Sequence, residues 1–185
     1  MGLFAYRVLA EYRVHHETLL LLVFAGEAIM VMCVLAARFS DDVDRSPLMT
    51  AVTVAATFYF AVVKVTPGLR LVPQLAGITL QCIGIALQIA AKLWLGRSFG
   101  LRPANRGIVT SGPYRLVRHP IYLGYFLNHV GFMLLSFSVW NLTVYAVLYT
   151  LQVGRILAEE RLLTRDEQYR SYVQRVRYRL VPGIF

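Results

Sequence analysis

The 185 residues are 57% apolar and only 16% charged, with a mean hydropathy of +0.56. This composition excludes intrinsic disorder, a disulfide-stapled miniprotein and an ordinary soluble enzyme, because a soluble domain has about a quarter of its residues charged. In so apolar a chain, the formal net charge of +9 favours contact with anionic lipid headgroups over contact with nucleic acid. The sequence therefore predicts an integral membrane protein.

Five apolar runs meet or approach the length of about 20 residues that a helix needs to cross a bilayer. In chain order they are residues 18–37, 47–63, 71–95, 121–140 and 142 to about 158. No small-residue cleavage site follows the first run, so we expect a retained span and not a signal peptide. The last two runs are separated by so few residues, Trp140 and Asn141, that they must form an antiparallel hairpin. The predicted fold class is all-α, with about five transmembrane helices and a C-terminal helical segment.

Basic residues predict the side of the membrane that each loop faces, because Lys and Arg are retained in the cytoplasm. Residues 96–119 hold five arginines and no acid, and the chain from Arg155 onward holds seven arginines. Both segments therefore belong in the cytoplasm, and counting back through three spans puts the N-terminus outside. Arg7 and Arg13 oppose this last step, and the N-terminus would be inside if the short run 47–63 does not span.

Few titratable groups interrupt the apolar runs. Cys33 and Cys82 lie in different runs without metal-ligand spacing, so we expect neither a disulfide nor a metal site. Glu27 lies in the middle of a span, where an ionisable group is a functional candidate by default, although a hydrogen-bonded Glu inside the bundle is the simpler interpretation. No acid occurs from Ser46 to Ala158. The acids before that interval include a group typical of a solvated loop: Asp41, Asp42 and Asp44.

A dense polar segment, residues 107–122, precedes the fourth run and reads G-I-V-T-S-G-P-Y-R-L-V-R-H-P-I-Y. The dipeptide Gly112-Pro113 indicates a turn, and Pro120 suits the first position of a helix, where a missing N–H costs nothing. His119 then falls at the helix cap. Polar, aromatic and cationic groups are thus concentrated at the mouth of the hairpin, where first-turn N–H groups can bind an anion. A basic interfacial loop with tyrosine anchors is the alternative.

Two adjacent acids, Glu159 and Glu160, follow the fifth run at the membrane border. Arg155 and Glu159 are four residues apart and can share a helix face, whereas Glu160 lies about 140° around the helix from Arg155. An amphipathic helix that binds anionic headgroups is the simpler interpretation of this arginine-rich tail. Paired acids weaken such an anchor and need partners. The available partners across the hairpin are Arg115, Arg118 and His119.

Three motifs stand together in the second half of the chain: G-P-Y-R-x-V-R-H-P-x-Y-x-G at 112–124, R-x-x-x-E-E at 155–160 and Y-x-x-Y-x-x-R-V at 169–176. Their combination resembles the isoprenylcysteine carboxyl methyltransferase family and the related integral-membrane phospholipid methyltransferases. The resemblance covers about residues 95–185. It implies an N-terminal scaffold of three spans at 1–95 and a catalytic region at 96–185.

The resemblance implies methyl transfer from S-adenosylmethionine to a lipophilic acceptor at the membrane–cytosol interface, with a cofactor site that is not a Rossmann fold. The chain agrees, because it contains no G-x-G-x-x-G motif and no predictable strand. Arg155 and Glu160 match the family's essential arginine and glutamate, which makes them the predicted catalytic residues. The predicted cofactor-binding residues are Tyr114, Arg118, His119, Pro120, Tyr122 and Glu159.

The nature of the acceptor decides which side chains do chemistry. A carboxylate is already ionised at neutral pH, so Arg155 could orient it while Glu160 fixes Arg155 or faces the sulfonium. An amine or hydroxyl must lose a proton, and Glu160 or His119 would then be the base. An isoprenylcysteine-like carboxylate is favoured, and a phospholipid amine or a lipophilic hydroxyl or thiol is the alternative. We expect His119 and Tyr122 to be exposed, so that their substitution weakens cofactor affinity more than folding.

Two interpretations other than an enzyme follow from the same residues. The basic tail could recruit anionic lipid or a partner protein to a non-enzymatic scaffold. A transporter is disfavoured, because apart from Glu27 and Lys92 the spans lack charged groups for a substrate path. The expected partners are a lipophilic or prenylated substrate and membrane lipids, with no nucleic acid and no obligate protein partner. We expect a prokaryotic inner-membrane protein with its site facing the cytoplasm, and the sequence assigns no role to His129.

Overall fold

A computed structural model describes residues 46–64, 68–100 and 104–185, together with Met32, Leu35 and Ala36. Most of the predicted first span, Glu27 and the aspartates of the following loop lie outside the described residues. An isolated antiparallel bridge pairs Leu69 with Phe137. The described helices are α1 (Pro47–Phe58), α2 (Gln74–Leu95), α3 (Pro120–Leu135), α4 (Val139–Leu163) and α5 (Glu167–Arg175). The described part of the chain is thus helical, as predicted.

The lengths of the helices differ from the predicted spans. Among the described residues, one helical segment, Gln74–Ser98, is both long and apolar enough to cross a membrane. Two more helices, Pro47–Phe58 and Pro120–Leu135, are apolar but shorter. The number of five spans therefore stays a prediction.

The connection between the last two long helices lies earlier than expected. The Ser138 hydroxyl caps α4 by accepting a hydrogen bond of 3.1 Å from the Asn141 backbone N–H. The prediction that Trp140 and Asn141 form the connection is wrong, because both belong to the first turn of α4. The Asn141 side chain instead bonds the backbone of Lys64, at 2.8 and 3.0 Å. It thereby ties the chain after α1 to the start of α4.

Small residues bring α2 and α3 into the most extensive helix contact in the described structure. A Cβ added to Gly84 would lie 2.5 Å from the Asn128 backbone nitrogen, and one added to Gly124 would lie 2.7 Å from the Gly84 carbonyl oxygen. The Gln88 side chain packs directly on Gly124. Glycine at such positions lets two helix backbones approach closely, as is common in membrane proteins.

We expect Gly124→Ala to destabilise the protein by about 1–3 kcal/mol, because the added methyl group meets backbone that has no room to move. The matched control is Gly154→Ala on α4, where an added Cβ meets nothing within 4 Å. That control should be neutral or stabilising, since Ala is the better helix former. Thermal unfolding in detergent measures both variants, and equal Tm values would contradict this account of the α2–α3 contact.

Helices α3 and α4 form the predicted antiparallel hairpin. His119, the cap residue at the start of α3, contacts Glu160 near the end of α4. At the other end, the ring centroids of Phe132 and Tyr145 lie 6.3 Å apart. Aromatic side chains, not glycines, fill the seam between these helices, which leaves room for a cavity.

The C-terminal segment folds back over the start of α3. Helix α5 buries Tyr169 and Tyr172, and the Tyr172 hydroxyl donates a hydrogen bond of 2.6 Å to the Tyr114 carbonyl oxygen. Beyond α5, the backbone N–H groups of Arg118 and His119 donate to the carbonyl oxygens of residues 178 and 179, at 3.0 and 2.9 Å. The predicted helical tail therefore covers the end of the bundle at which α3 begins.

Candidate functional site

A cavity between α2, α3 and α4 brings together most of the residues that the motifs singled out. It extends along α3 from Ile121 to His129 and along α4 from Gln152 to Leu163. The stretch of α4 is about 16 Å long at 1.5 Å per residue. Residues of α1 and α2, including Ala56 and Ile85, also line it. The region before residue 96 therefore contributes side chains to the cavity in addition to any role as a scaffold.

The predicted site residues divide into those that line the cavity and those that do not. Pro120 is buried at the first position of α3 and is not part of the lining. Of the two predicted catalytic residues, Arg155 lines the cavity and Glu160 does not. The other predicted cofactor residues all line the cavity: Tyr114, Arg118, His119, Tyr122 and Glu159.

Glu160 is the centre of a buried ionic cluster. Its Oε1 lies 3.0 Å from Arg118 Nη1 and 3.2 Å from His119 Nε2, and its Oε2 accepts a hydrogen bond of 2.7 Å from Arg179 Nε. Arg118 and His119 are two of the partners expected from the sequence, and Arg179 of the tail takes the place expected for Arg115. Three elements that are distant in the chain meet at this carboxylate.

The cluster keeps Glu160 ionised. Burial raises the pKa of the Glu160 carboxyl, but hydrogen bonds from His119 and Arg179 and the charges of His119 and Arg118 lower it by more. The resulting pKa lies below the usual value for Glu. A carboxylate that is so well stabilised is a weak base, which makes it poorly suited to removing a proton from an acceptor.

His119 is less accessible than the sequence suggested. It caps α3 as expected, but it is only 6% exposed, and its ring meets the Tyr122 ring edge-on at 5.7 Å. The expectation that His119 is exposed is therefore wrong, because Glu160 and the returning tail cover it. Substitution of His119 leaves Glu160 without one partner and must affect folding as well as any bound ligand.

Arg155 is held at the cavity wall by two neighbours. Its guanidinium carbon lies 5.7 Å from the centroid of the Tyr122 ring, and its Nη1 lies 3.4 Å from Gln152 Oε1. Glu159 follows one turn later on the same face of α4, as the four-residue spacing predicts, and both residues line the cavity. A positive and a negative side chain thus stand about 6 Å apart along the helix axis.

The structure adds cavity residues that the motifs did not single out. Tyr169 of α5 is buried in the lining, and its hydroxyl has no hydrogen-bond partner among the described residues. Burial is the main cause that raises the pKa of Tyr169, so the group is a neutral hydroxyl at physiological pH. The Y-x-x-Y spacing of the tail is the signal that could have placed Tyr169 on the buried face of α5.

A second group of polar residues lies deeper in the cavity. His129 Nε2 is 2.6 Å from the Tyr59 hydroxyl, and His129 Nδ1 is 2.7 Å from the Tyr149 hydroxyl. The His129 ring also stacks on Tyr145, with centroids 4.6 Å apart. These contacts join α3, α4 and the turn after α1. No sequence signal predicts them, because the residues are far apart in the chain.

Within the described ranges, no group of three His, Cys, Asp or Glu residues could hold a metal ion.

Known proteins match the part of the chain that contributes most of the cavity lining. Residues 77–165, from α2 to the turn after α4, match the model of the isoprenylcysteine carboxyl methyltransferase (ICMT) family. Protein-S-isoprenylcysteine O-methyltransferase B of Arabidopsis thaliana is 29% identical over 136 residues, which cover 68% of this chain and 69% of that protein. The chain is similar to the ICMT family over residues 77–165, which make up a little under half of it. The resemblance inferred from the motifs is confirmed, and the match begins in α2, earlier than the motifs indicated.

The chain is also similar to a protein with a different name. The nickel-cobalt-cadmium resistance protein NccN of Alcaligenes xylosoxydans xylosoxydans is 26% identical over 100 residues, which cover 53% of this chain and 46% of that protein. The solved structure of a eukaryotic intramembrane Ras methyltransferase ICMT has 24% identity and a TM-score of 0.54, over 77% of this chain and 55% of that one. This last likeness shows the fold alone. The chain spans about half the length of these two relatives.

Proposed function

We propose that this protein transfers a methyl group from S-adenosylmethionine to the carboxylate of a lipophilic, isoprenylcysteine-like acceptor at the membrane–cytosol interface. The observation that carries the proposal is the placement of Arg155 and Glu159 on one wall of the cavity between the helices. The arginine can bind an anionic acceptor while the acid binds a cationic donor, so the two ligands would occupy different places along the same wall. The cavity would face the cytoplasm, as the basic loops predict, in the inner membrane of a prokaryote.

The lining residues fit S-adenosylmethionine as the methyl donor. Arg118 Nε and the Tyr169 hydroxyl are among the buried donors of the lining that have no hydrogen-bond partner in the described structure. Such groups suit the polar atoms of a cofactor, since a buried donor is costly to leave unpaired. Glu159 and the face of Tyr122 suit its cationic part. When bound, the cofactor supplies an electrophilic methyl group on a sulfonium.

Arg155 is proposed to hold the acceptor carboxylate. A guanidinium makes two parallel charge-assisted hydrogen bonds to a carboxylate, and the contacts with Tyr122 and Gln152 fix its plane in advance. The carboxylate is already ionised at neutral pH, so no residue has to remove a proton. Glu160 is a positioning residue in this proposal, because it holds Arg118 and His119 and does not line the cavity.

Radiolabelled S-adenosylmethionine tests the proposal on membranes that contain the protein, with N-acetyl-S-farnesylcysteine as the acceptor. We expect labelled product that releases volatile methanol in base, because only a methyl ester is labile in this way. Base-stable label in membrane lipid would favour the phospholipid amine alternative. Absence of transfer together with absence of saturable S-adenosylhomocysteine binding would contradict the enzyme and favour a scaffold.

A further inference from the structure

Three amide side chains line the inner part of the cavity, one each from α2, α3 and α4. Gln88 is 5% exposed and Gln152 is 7% exposed, and Asn128 is half-buried in the same lining. In the part of the chain that the structure describes, the side-chain amides of Gln88 and Asn128 form no hydrogen bond. Neither amide is among the buried polar atoms without a partner, so both are accessible from the cavity and a ligand there can form hydrogen bonds with them.

The amides of Gln88 and Asn128 lie deeper in the cavity than Arg155, whereas that of Gln152 contacts the guanidinium. The Arg155 guanidinium is level with Tyr122, on the first turn of α3. Gln88 packs on Gly124, and Asn128 follows one turn later on α3. Six residues of helix separate Tyr122 from Asn128, which is about 9 Å along the axis. A ligand held by Arg155 at one end can therefore pass Gln88, which is level with Gly124 about 3 Å along the axis, and reach Asn128 with a group about 9 Å away.

The inner end of the cavity is polar as well. Tyr59 and His129 both line it, and the hydrogen bonds of His129 to Tyr59 and Tyr149 fix these rings. A pocket that served a plain hydrocarbon chain would be expected to end in apolar side chains. This cavity instead ends in a hydroxyl, an imidazole and two amides, with aliphatic residues such as Ile85 and Ile89 beside them.

We propose that the inner end of the cavity, formed by Gln88, Asn128, Tyr59 and His129, recognises a hydroxyl or carbonyl group on the lipophilic body of the acceptor, about 9 Å from its carboxylate. The acceptor is thus an oxygenated lipophilic carboxylic acid. This inference rests on the proposed function, because it places the acceptor carboxylate at Arg155. Selectivity arises because an acceptor that lacks the oxygen leaves the amides unpaired.

Two probes that differ by one oxygen atom test the inference. One is a saturated straight-chain carboxylic acid, and the other carries a hydroxyl about 9 Å from the carboxylate. Calorimetry in detergent, with S-adenosylhomocysteine present, should show about tenfold tighter binding of the hydroxylated acid to the wild-type protein. Gln88→Met and Asn128→Leu keep side-chain size but remove the amide. Each should reduce this preference to about twofold, with the affinity for the plain acid unchanged.

Gln81→Met is the matched control. Gln81 lies two turns before Gln88 on α2, is 6% exposed and packs on Gly131 as Gln88 packs on Gly124, but it does not line the cavity. The preference should survive in this variant. Equal wild-type affinities for the two acids, or a preference that persists in both amide variants, would overturn the inference. A loss of S-adenosylhomocysteine affinity in Gln88→Met as large as the loss of affinity for the hydroxylated acid would also overturn the inference, because the amide would then contact the cofactor.

Methyl transfer measured on the same two acids separates this inference from the function on which it rests. Preferential binding of the hydroxylated acid without methyl transfer to either acid would contradict the proposed function and support the recognition of an oxygen. Methyl transfer to both acids at equal kcat/KM and equal affinity would support the function and contradict the inference.

Discussion

Arg155→Lys is expected to lower kcat for methyl transfer to a carboxylate acceptor by about a hundredfold, while the affinity for S-adenosylhomocysteine stays unchanged. The wild-type guanidinium is fixed over the Tyr122 ring and beside the Gln152 amide, and its planar fork matches a carboxylate. A lysine ammonium offers a single point of charge, so the acceptor can shift by about 1 Å, which is enough for a loss of this size. Single-turnover kinetics with N-acetyl-S-farnesylcysteine measure the effect.

Arg170→Lys is the control for this substitution. Arg170 is an exposed arginine of α5, so its conversion to lysine should leave turnover within about twofold. Near-normal turnover in Arg155→Lys would remove Arg155 from contact with the acceptor. Loss of S-adenosylhomocysteine binding in the same variant would instead place Arg155 at the cofactor.

Glu160→Ala is expected to destabilise the protein by about 3–5 kcal/mol, since it leaves Arg118, His119 and Arg179 together without their shared carboxylate. Equilibrium unfolding in mixed detergent measures the loss. Glu167→Ala is the control, because Glu167 is exposed in the first turn of α5 and its removal should cost less than about 1 kcal/mol. Equal losses in the two variants would show that the cluster contributes no more than a surface charge.

The same carboxylate makes stability depend on pH. Folding lowers the pKa of Glu160 below its usual 4.5, so the ionised group stabilises the protein fully above that pH. This contribution is lost as the pH falls through the lower value of the folded state. The wild-type protein should therefore lose stability below about pH 4.5 more steeply than Glu160→Gln, which has no group to protonate. Parallel pH curves for the two proteins would contradict the assignment of the low pKa.

Local signals in the sequence were sufficient for much of the fold. Pro120 and its cap His119 marked the start of α3, because proline is tolerated where no N–H is needed. The four-residue spacing of Arg155 and Glu159 placed both side chains on one face of α4, and the structure puts both in the cavity lining. Short-range rules of this kind need only the geometry of one helix.

Features that depend on several helices could not be predicted. The apolar run 121–140 continues past Leu135, so its composition hid the break that Ser136 and Ser138 introduce. The amides of Gln88 and Asn128 acquire a meaning only when α2 and α3 are docked. Likewise, the burial of His119 depends on the tail, which returns from sixty residues away in the chain. Each of these outcomes is decided by contacts between segments.

The packing surfaces of α2 and α3 would be equally complementary in a second register. Gly77, Gln81, Gly84 and Gln88 of α2 face Leu135, Gly131, Asn128 and Gly124 of α3. The glycines recur seven residues apart on each helix, at Gly77 and Gly84 on α2 and at Gly124 and Gly131 on α3, and a larger side chain faces each of them. A slip of one heptad, about 10 Å, would set Gln81 against Gly124 and keep the same complementarity.

The helix faces alone therefore do not select the native register. Selection comes from the ends, where Leu69 and Phe137 exchange backbone hydrogen bonds of 3.1 and 2.9 Å, and Leu71 N–H donates to the Leu134 carbonyl oxygen at 2.9 Å. None of these four residues lines the cavity. Leu134 and Phe137 lie at the C-terminal end of α3, which is the end farther from it. The four residues nevertheless help to set the register that places Gln88 and Asn128 in the cavity, so part of the alignment of the binding site comes from a clasp at the opposite end of the bundle.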